Sequence, residues 1–362
     1  MVVRAEGGSD GAALCGCLTV SQTAPVYALD FSRWKRRSVS LCFPEQEVRF
    51  VRDLRAVPDK ATLAVWGMRA IPDNIAARGI GIVRLEDGFL RSVGLGADLI
   101  RPLSWVVDRR GMYYDATRPS DLEVLLSQTE FTDAMLARAA ALRGRIVDAG
   151  LTKYNVGAAV WRRPAGVARA ILVPGQVESD AALDCGAPGI RTNLGLLQAV
   201  RKAHPDAYVV YKPHPDVVAG LRARGAAEDA AGQWCDEIVV DVSMDEMFLQ
   251  VEEVHVLTSL AGFEALLRGR RVTCYGQPFY AGWGLTTDIL PIPRRTRRLT
   301  LDELAAGALI LYPCYLSRSR ARQVTPEEAL EELLAWRERA GREAPWWRKL
   351  FRVVLRRVVG VR

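Results

Sequence analysis

The sequence predicts an α/β protein built from two doubly wound, parallel-sheet units. From residue 24 onward, short apolar stretches alternate with helix-like stretches, which is the pattern of a parallel sheet covered by helices. A polar loop interrupts this alternation near residue 165, and the alternation then starts again. The chain has 362 residues, which is long for one hydrophobic core and sufficient for two.

The first unit is predicted to span residues 25–165. Its strands are 26–29, 48–51, 63–66 and 81–85. Residues 104–108 and 112–115 flank Arg109-Arg110-Gly111 and are predicted to form a hairpin. Helical patterns follow at 120–129 and 132–150.

The second unit is predicted to span residues 166–340. Its strands are 170–173, 207–211, 237–240, 253–257 and 272–275, and its helices include 192–203. Helix 325–339 follows the sheet and is placed to pack back across the interface between the units. Two Rossmann-like units of similar size that face each other across a cleft would be a GT-B-like architecture.

The two ends of the chain differ in character from these units. Residues 1–24 contain acidic residues and only a short, interrupted apolar stretch, so we expect a disordered segment and no signal peptide. Residues 341–362 hold seven basic residues and one acidic residue. As a helix, residues 346–358 would separate basic from apolar side chains, as an interfacial membrane helix does. The alternative is a helix docked on the body of the protein.

Charge and cysteine content exclude some classes of function. The net charge is +7, and the tail accounts for most of it, so no basic surface for nucleic acid is expected on the units. Seven cysteines are scattered without metal-ligand spacing. We therefore expect free cytosolic thiols and no zinc site.

Polar residues follow two predicted strands where a ligand would bind. Lys212-Pro-His214-Pro215 ends one strand, and Ser259 precedes a helix that begins at Leu260. Ligands bind beyond the carboxyl ends of parallel strands, and helix N-termini attract anions, so the pair predicts a nucleotide-phosphate site. A stiff proline turn and a simple helix cap are the alternatives. His204 precedes its strand and is expected at the opposite edge.

Two loops supply carboxylates, one from each unit. Glu178 and Asp180 follow strand 170–173, and Glu86 and Asp87 follow strand 81–85. Paired carboxylates beside a phosphate site are candidates for acid, base or nucleophile. The alternatives are a solvated loop in which Asp180 caps a helix, and a plain turn at Gly88.

An aromatic and glycine-rich loop, residues 275–288, follows the last strand of the second unit. It contains Gln277, Tyr280 and Trp283. Such a loop is suited to stacking on a sugar or base. The alternative is a packed connection whose aromatic rings fill a seam.

Together these residues resemble the bacterial capsule β-Kdo transferases, the KpsC/LipA-like family, over most of residues 26–335. The motifs that carry the resemblance are the run Glu86-Asp-Gly-Phe-Leu-Arg-Ser-Val-Gly-Leu-Gly, Pro102-Leu-Ser, Tyr113-Tyr-Asp, Val173-Pro-Gly-Gln-Val-Glu-Ser-Asp180, Lys212-Pro-His-Pro, Ser259-Leu-Ala-Gly-Phe-Glu264 and Tyr275-Gly-Gln-Pro-Phe-Tyr-Ala-Gly-Trp-Gly. Many members of the family carry two such modules, and this chain has room for one.

The resemblance implies a retaining transferase that moves the acidic sugar Kdo from CMP-β-Kdo to a lipid-linked Kdo acceptor and builds the poly-Kdo linker of capsular polysaccharide. It implies Asp180 as the nucleophile, with Glu86, Asp87 and Glu178 as further catalytic candidates. The implied donor-binding residues are Lys212, His214, Pro215, Ser259, Leu260, Gly262 and Glu264. The implied substrate contacts are Arg91, Gln176, Gln277, Tyr280 and Trp283.

No metal or other cofactor is expected, because side chains can neutralise the leaving monophosphate of CMP. The expected partners are CMP-Kdo, the acceptor lipid, an anionic membrane surface on the cytoplasmic side of the inner membrane, and capsule assembly or export proteins. A transferase for UDP- or other NDP-sugars and a non-catalytic adaptor of capsule export are the alternative functions.

Overall fold

The computed structural model describes residues 24–90, 102–153, 157 and 159–342. The expectations for the N-terminal segment, Arg91 and the tail from residue 343 lie outside these residues. In chain order the strands are β1 (Val26–Leu29), β2 (Val48–Val51), β3 (Thr62–Trp66), β4 (Gly81–Asp87), β5 (Ser104–Asp108), β6 (Ala170–Pro174), β7 (Tyr208–Lys212), β8 (Glu237–Ile238), β9 (Glu253–Val256), β10 (Arg271–Cys274), β11 (Thr287–Asp288), β12 (Pro313–Leu316) and β13 (Gln323–Val324). The helices are α1 (Arg33–Cys42), α2 (Asn74–Ala77), α3 (Asp121–Gln128), α4 (Asp133–Asp148), α5 (Ala181–Gly186), α6 (Asn193–Ala203), α7 (Pro215–Val218), α8 (Met244–Gln250), α9 (Leu260–Leu267), α10 (Leu301–Ala305) and α11 (Pro326–Arg342).

The chain forms two mixed α/β units, and the first is discontinuous in sequence. Of the described residues, the first unit contains 24–90, 102–142 and 302–332, and the second contains 143–153, 157, 159–301 and 333–342. The sequence had suggested one junction near residue 165. The first unit is discontinuous because β12 returns to pair with β5, which joins residues 302–332 to it.

The first sheet has seven strands in the order β13-β12-β5-β4-β3-β1-β2. Strands β2, β1, β3 and β4 are parallel to one another, whereas β5, β12 and β13 continue the sheet with antiparallel pairing. Apolar side chains of β1, β3 and β4 and of α1 form its core. The carboxyl ends of β1, β3 and β4 therefore meet at one edge.

The predicted hairpin between 104–108 and 112–115 is wrong. Residues 112–115 form no strand, and β5 pairs with β4 and β12 instead. The buried carboxylate of Asp108 accepts the N–H groups of Arg110, Gly111 and Asp121 at 2.7–2.9 Å. This carboxylate accepts the backbone N–H groups of the turn after β5 and of the first residue of α3. The chain therefore continues into α3 and does not return along β5.

The second sheet has six strands in the order β11-β10-β9-β6-β7-β8, and all of its pairings are parallel. Strands β6, β7 and β9 are rich in Val and Ile and are almost completely buried, as expected for strands covered on both faces. Their carboxyl ends carry the loops predicted to bind ligand.

Among the described residues no helix is both long and apolar enough to cross a membrane.

Candidate functional site

The tip of β7 holds a buried lysine and a capping histidine. Lys212 is 7% exposed, and its Nζ donates to the carbonyl oxygen of Val240 at 3.1 Å. Burial lowers the pKa of Lys212 to about 8. His214 is the N-cap of α7, with Pro215 at the first helical position, and its Nδ1 accepts the N–H of Asp216 at 3.2 Å.

The electrostatic surroundings of His214 favour the neutral imidazole. Burial, together with the positive charges of Lys153, Arg222 and Lys212, lowers the pKa of His214 to about 3. Because Nδ1 accepts a backbone N–H, the single proton of the neutral ring belongs on Nε2. His214 therefore offers an N–H donor within a group of cations, an arrangement suited to an anion.

The tips of β6, β7 and β9 adjoin one another. A Cβ on Gly175 would lie 2.7 Å from the hydroxyl oxygen of Tyr211 and 3.1 Å from the backbone nitrogen of His214, so only glycine fits. The next residue, Gln176, is buried and donates through Nε2 to Oγ1 of Thr258 at 2.9 Å. Gln176 thus joins these tips, and its contact with substrate stays a prediction.

The two carboxylates after β6 have different environments. Asp180 is exposed and is the N-cap of α5, where its Oδ1 accepts the N–H of Ala182 at 3.2 Å. Glu178 is half-buried, and its two carboxylate oxygens accept the N–H groups of Asn193 at 2.8 Å and Ala226 at 2.7 Å. Asp180 is therefore the accessible carboxylate, whereas Glu178 holds the loop together.

The N-terminus of α9 lies at the tip of β9. Ser259 caps the helix that starts at Leu260, and its Oγ accepts the N–H of Ala261 at 3.3 Å. A Cβ on Gly262 would overlap the ring of Tyr280, whose hydroxyl donates to the carbonyl oxygen of Ser259. Gly262 is thus required for the packing of α9 against Tyr280.

Glu264 lies inside the second unit. Its Oε1 accepts the backbone N–H of Lys153 at 2.5 Å, and its side chain is buried. Burial raises the pKa of Glu264 to about 7. This carboxylate holds Lys153 against α9, and ribose binding by Glu264 stays a prediction.

The aromatic loop after β10 is part of the core. Tyr280 and Trp283 are 0% exposed, and the indole N–H of Trp283 donates to the carbonyl oxygen of Phe279 at 2.8 Å. Half-buried Gln277 donates through Nε2 to the carbonyl oxygen of Pro291 at 2.9 Å. The predicted stacking surface is therefore wrong for Tyr280 and Trp283, and the packed connection is what the structure contains.

In the first unit, Glu86 and Asp87 end β4 at the carboxyl edge of its sheet, both half-buried. The hydroxyl of Tyr114 lies 3.4 Å from Oε2 of Glu86. A Cβ on Gly67, which has φ +53°, would lie 3.0 Å from the same oxygen. Gly67 and Tyr114 thus form the immediate surroundings of Glu86.

No functional role was predicted from the sequence for Lys153, Arg222, Gly67 or Tyr114. Lys153 and Arg222 lie in separate loops, and only the fold brings their charges near His214. Tyr114 was assigned to a strand that does not form. Gly67 had a usable signal, since it follows a buried strand directly, at the position where a sharp turn is needed.

His204 lies at the amino edge of the second sheet, as predicted. Its Nδ1 is 3.2 Å from a guanidinium nitrogen of Arg169, which precedes β6. Among the described residues, the group His204, Glu253 and His255 has ligand atoms within 4.8 Å of one another, close enough for a metal ion. However, Arg169 and Arg271 already pair with the Glu253 carboxylate, so positive charge is supplied there by guanidinium groups.

Comparison with known sequences relates the chain to proteins of capsule synthesis. The family model described as "Capsule polysaccharide biosynthesis protein" matches residues 62–157 and 152–315. The capsule polysaccharide modification protein LipA of Neisseria meningitidis serogroup A is 42% identical over 85% of this chain and 45% of LipA. The lipopolysaccharide-processing protein LpsZ of Rhizobium meliloti is 40% identical over 83% of this chain and 72% of LpsZ. The chain thus spans less than half the length of LipA.

Two solved structures of Thermosulfurimonas dismutans KpsC are similar to this chain over 86% of its length. The β-Kdo 2,7 transferase is 41% identical, with a TM-score of 0.71, and 99% of it is covered. The β-Kdo 2,4 transferase is 31% identical, with a TM-score of 0.73, and 98% of it is covered. The similarity therefore extends over both units of this chain.

Proposed function

The chain belongs to the capsule polysaccharide biosynthesis family of KpsC- and LipA-like proteins, and from this we propose that it is a retaining glycosyltransferase. Its donor would be CMP-β-Kdo, and its acceptor a Kdo residue carried by a (lyso)phosphatidylglycerol-type lipid. The reaction would extend the poly-Kdo linker of a capsular polysaccharide. Product analysis distinguishes a β-2,4 from a β-2,7 linkage.

The meeting of three strand tips in the second unit is the observation that carries the proposal. Gly175 lies against the backbone of His214, and the next residue, Gln176, bonds to Thr258, directly before the N-cap of α9. The Lys212 and His214 tip and the N-terminus of α9 therefore belong to one edge of the sheet. Helix N-termini and cationic side chains are a recurrent anion-binding combination.

Binding of the donor phosphate would use these groups in different ways. The Lys212 ammonium would supply positive charge. Because Lys212 is already buried, it would lose little further solvation on direct contact with phosphate. The Nε2–H of His214 would donate a hydrogen bond without adding a further charge. Because negative charge grows on the phosphate as CMP leaves, these donors would stabilise the transition state more than the bound donor.

We assign the nucleophile to Asp180 because, of the two carboxylates that follow β6, it is the exposed one. In the first step the Asp180 carboxylate attacks the anomeric carbon, and the bond from that carbon to the CMP phosphate oxygen breaks. In the second step the acceptor hydroxyl displaces the carboxylate, and Glu86 takes the hydroxyl proton, with Asp87 beside it. Two inversions give net retention.

The test is a transfer assay with CMP-Kdo generated in situ and a synthetic Kdo-terminated acceptor, with the product linkage determined by NMR. Asp180→Asn is the informative variant, because an asparagine oxygen can still cap α5 while the amide is a poor nucleophile. We expect the wild type to form a β-linked product. We expect Asp180→Asn to fold, to bind CMP and to lose transfer by at least about 1000-fold, and mass spectrometry to detect a Kdo adduct on wild-type Asp180.

Other outcomes would contradict parts of the proposal. Near-normal transfer by Asp180→Asn would remove Asp180 as nucleophile, and Glu178 would be tested next. Turnover of a UDP-sugar but not of CMP-Kdo would indicate an NDP-sugar transferase. A folded protein with no turnover of either donor would indicate a non-catalytic adaptor.

A further inference from the structure

Two cysteines of the first unit lie close together, away from the candidate site. Cys42 is the last residue of α1, and Cys314 lies in β12. Their sulfur atoms are 3.5 Å apart. Both side chains are half-buried and pack against the same hydrophobic cluster. We propose that Cys42 and Cys314 are a site of reversible disulfide formation.

The local structure holds the two thiols in position. The end of α1 is fastened to β13, the strand that pairs with β12, because Nε2 of Gln323 donates to the carbonyl oxygen of Leu41 at 2.8 Å. A disulfide bond is about 2.0 Å long, so the sulfur atoms need to approach by roughly 1.5 Å. Because both side chains are partly exposed, an oxidant can reach the sulfur atoms. The partial exposure also leaves the side chains room to move closer together.

Formation of the bond is a two-electron oxidation that needs an external disulfide. One cysteine thiolate attacks oxidised glutathione, forms a mixed disulfide and releases the first glutathione thiolate. The second cysteine thiolate then attacks the cysteine sulfur of the mixed disulfide and releases the second. Two protein thiols lose two protons and two electrons, and one glutathione disulfide becomes two glutathione molecules.

The bond would join two parts of one unit that are 272 residues apart in the sequence. It would tie the returning segment 302–332 to α1. A cross-link across so long a loop restricts the unfolded chain strongly. Oxidation should therefore make release of this segment from the first unit more difficult.

The test is peptide mapping of the full chain after incubation with oxidised glutathione and alkylation of the remaining thiols. We expect a peptide that links Cys42 to Cys314, its loss on treatment with dithiothreitol, and a rise of about 5 °C in the unfolding midpoint of the oxidised protein. Cys42→Ser and Cys314→Ser should each abolish the linked peptide and the rise. Cys235→Ser is the matched control, since Cys235 is also half-buried but lies in the second unit, and burial raises its pKa.

The mapping of the wild type decides the question even if a serine variant folds poorly. Recovery of both cysteines as separate alkylated or glutathionylated peptides would overturn the proposal. So would disulfides that link either cysteine mainly to other cysteines of the chain.

Discussion

At the scale of single residues, His214 has two roles that a mutation must separate. It caps α7 through Nδ1, and it is the proposed phosphate donor through Nε2. His214→Asn keeps a capping oxygen but removes the Nε2 donor. We expect the variant to keep its unfolding midpoint and to weaken CMP binding by about 10- to 100-fold, since a hydrogen bond to a charged group contributes about 1.5–3 kcal/mol. Calorimetric titration with CMP measures the effect.

The matched control for this prediction is His204→Asn, at the amino edge of the same sheet. We expect it to leave CMP affinity unchanged. Equal losses of affinity in the two variants would contradict the assignment of the phosphate site to the carboxyl edge.

Gly67 gives a second prediction for a single residue. An alanine Cβ there would press on Oε2 of Glu86 at 3.0 Å, in addition to the strain of a positive φ. Gly79 also has a positive φ, but its added Cβ would meet only a flexible part of Lys60 at 3.5 Å. Both alanine variants should lose about 1 kcal/mol of folding free energy, and only Gly67→Ala should reduce kcat, by about tenfold or more. Equal kcat values would show that the position of Glu86 does not matter for turnover.

At the scale of elements, two helical glycines should respond in opposite directions. Gly262 in α9 meets the ring of Tyr280, so Gly262→Ala should destabilise the protein by about 1–3 kcal/mol through overpacking. Gly144 in α4 has open space around its added Cβ. Gly144→Ala should stabilise the protein by about 0.5–1 kcal/mol through helix propensity. Urea unfolding of both variants measures this, and stabilisation by Gly262→Ala would contradict the packing.

The sequence predicted elements best where the signal was local. Strand β6 and helix α6 were located within a residue, because a β-branched run and a capped amphipathic stretch determine them. The burial of Tyr280 depends on contact with Phe263 of α9 as well as with its sequence neighbour Phe279. No pattern around Tyr280 distinguishes such packing from a ligand platform. Lys212 and His214 were predictable because strand polarity alone places them.

At the scale of the whole molecule, stability should depend on pH through a buried histidine. Burial lowers the pKa of His255 to about 4 in the folded state, against about 6.5 in an unfolded chain. Its contribution is fully present above pH 6.5 and is lost as pH falls toward 4, because the unfolded chain takes up the proton first. Facing groups are Glu253, Arg169 and His204.

The expected size of this effect is about 2 kcal/mol between pH 7 and pH 5 for one such histidine. His255→Gln should reduce that loss, as measured by urea unfolding at both pH values. His214→Gln should reduce the loss as well, because burial also lowers the pKa of that histidine, to about 3. An unchanged pH dependence in His255→Gln would contradict the prediction.

The basic tail gives a prediction about membrane association. Truncation after Arg342 keeps all of α11 that the structure describes and removes most of the excess positive charge. We expect the truncated protein to lose sedimentation with anionic liposomes, because each basic residue near such a surface contributes roughly 1 kcal/mol. Activity on a soluble acceptor should remain. Unchanged sedimentation, or loss of folding, would favour a helix docked on the protein.

The return of the chain to the first sheet has a consequence for synthesis on the ribosome. The hydroxyl of Tyr312 donates to the carboxylate of Asp108 over a sequence separation of 204, and β12 pairs with β5 beside it. At a synthesis rate of about 5–20 residues per second, β5 is made roughly 10–40 s before its partner strand β12, and its edge stays unpaired for that time. An unpaired strand edge can pair with another chain and cause aggregation. Slower initiation of translation or expression at lower temperature should therefore increase the soluble yield.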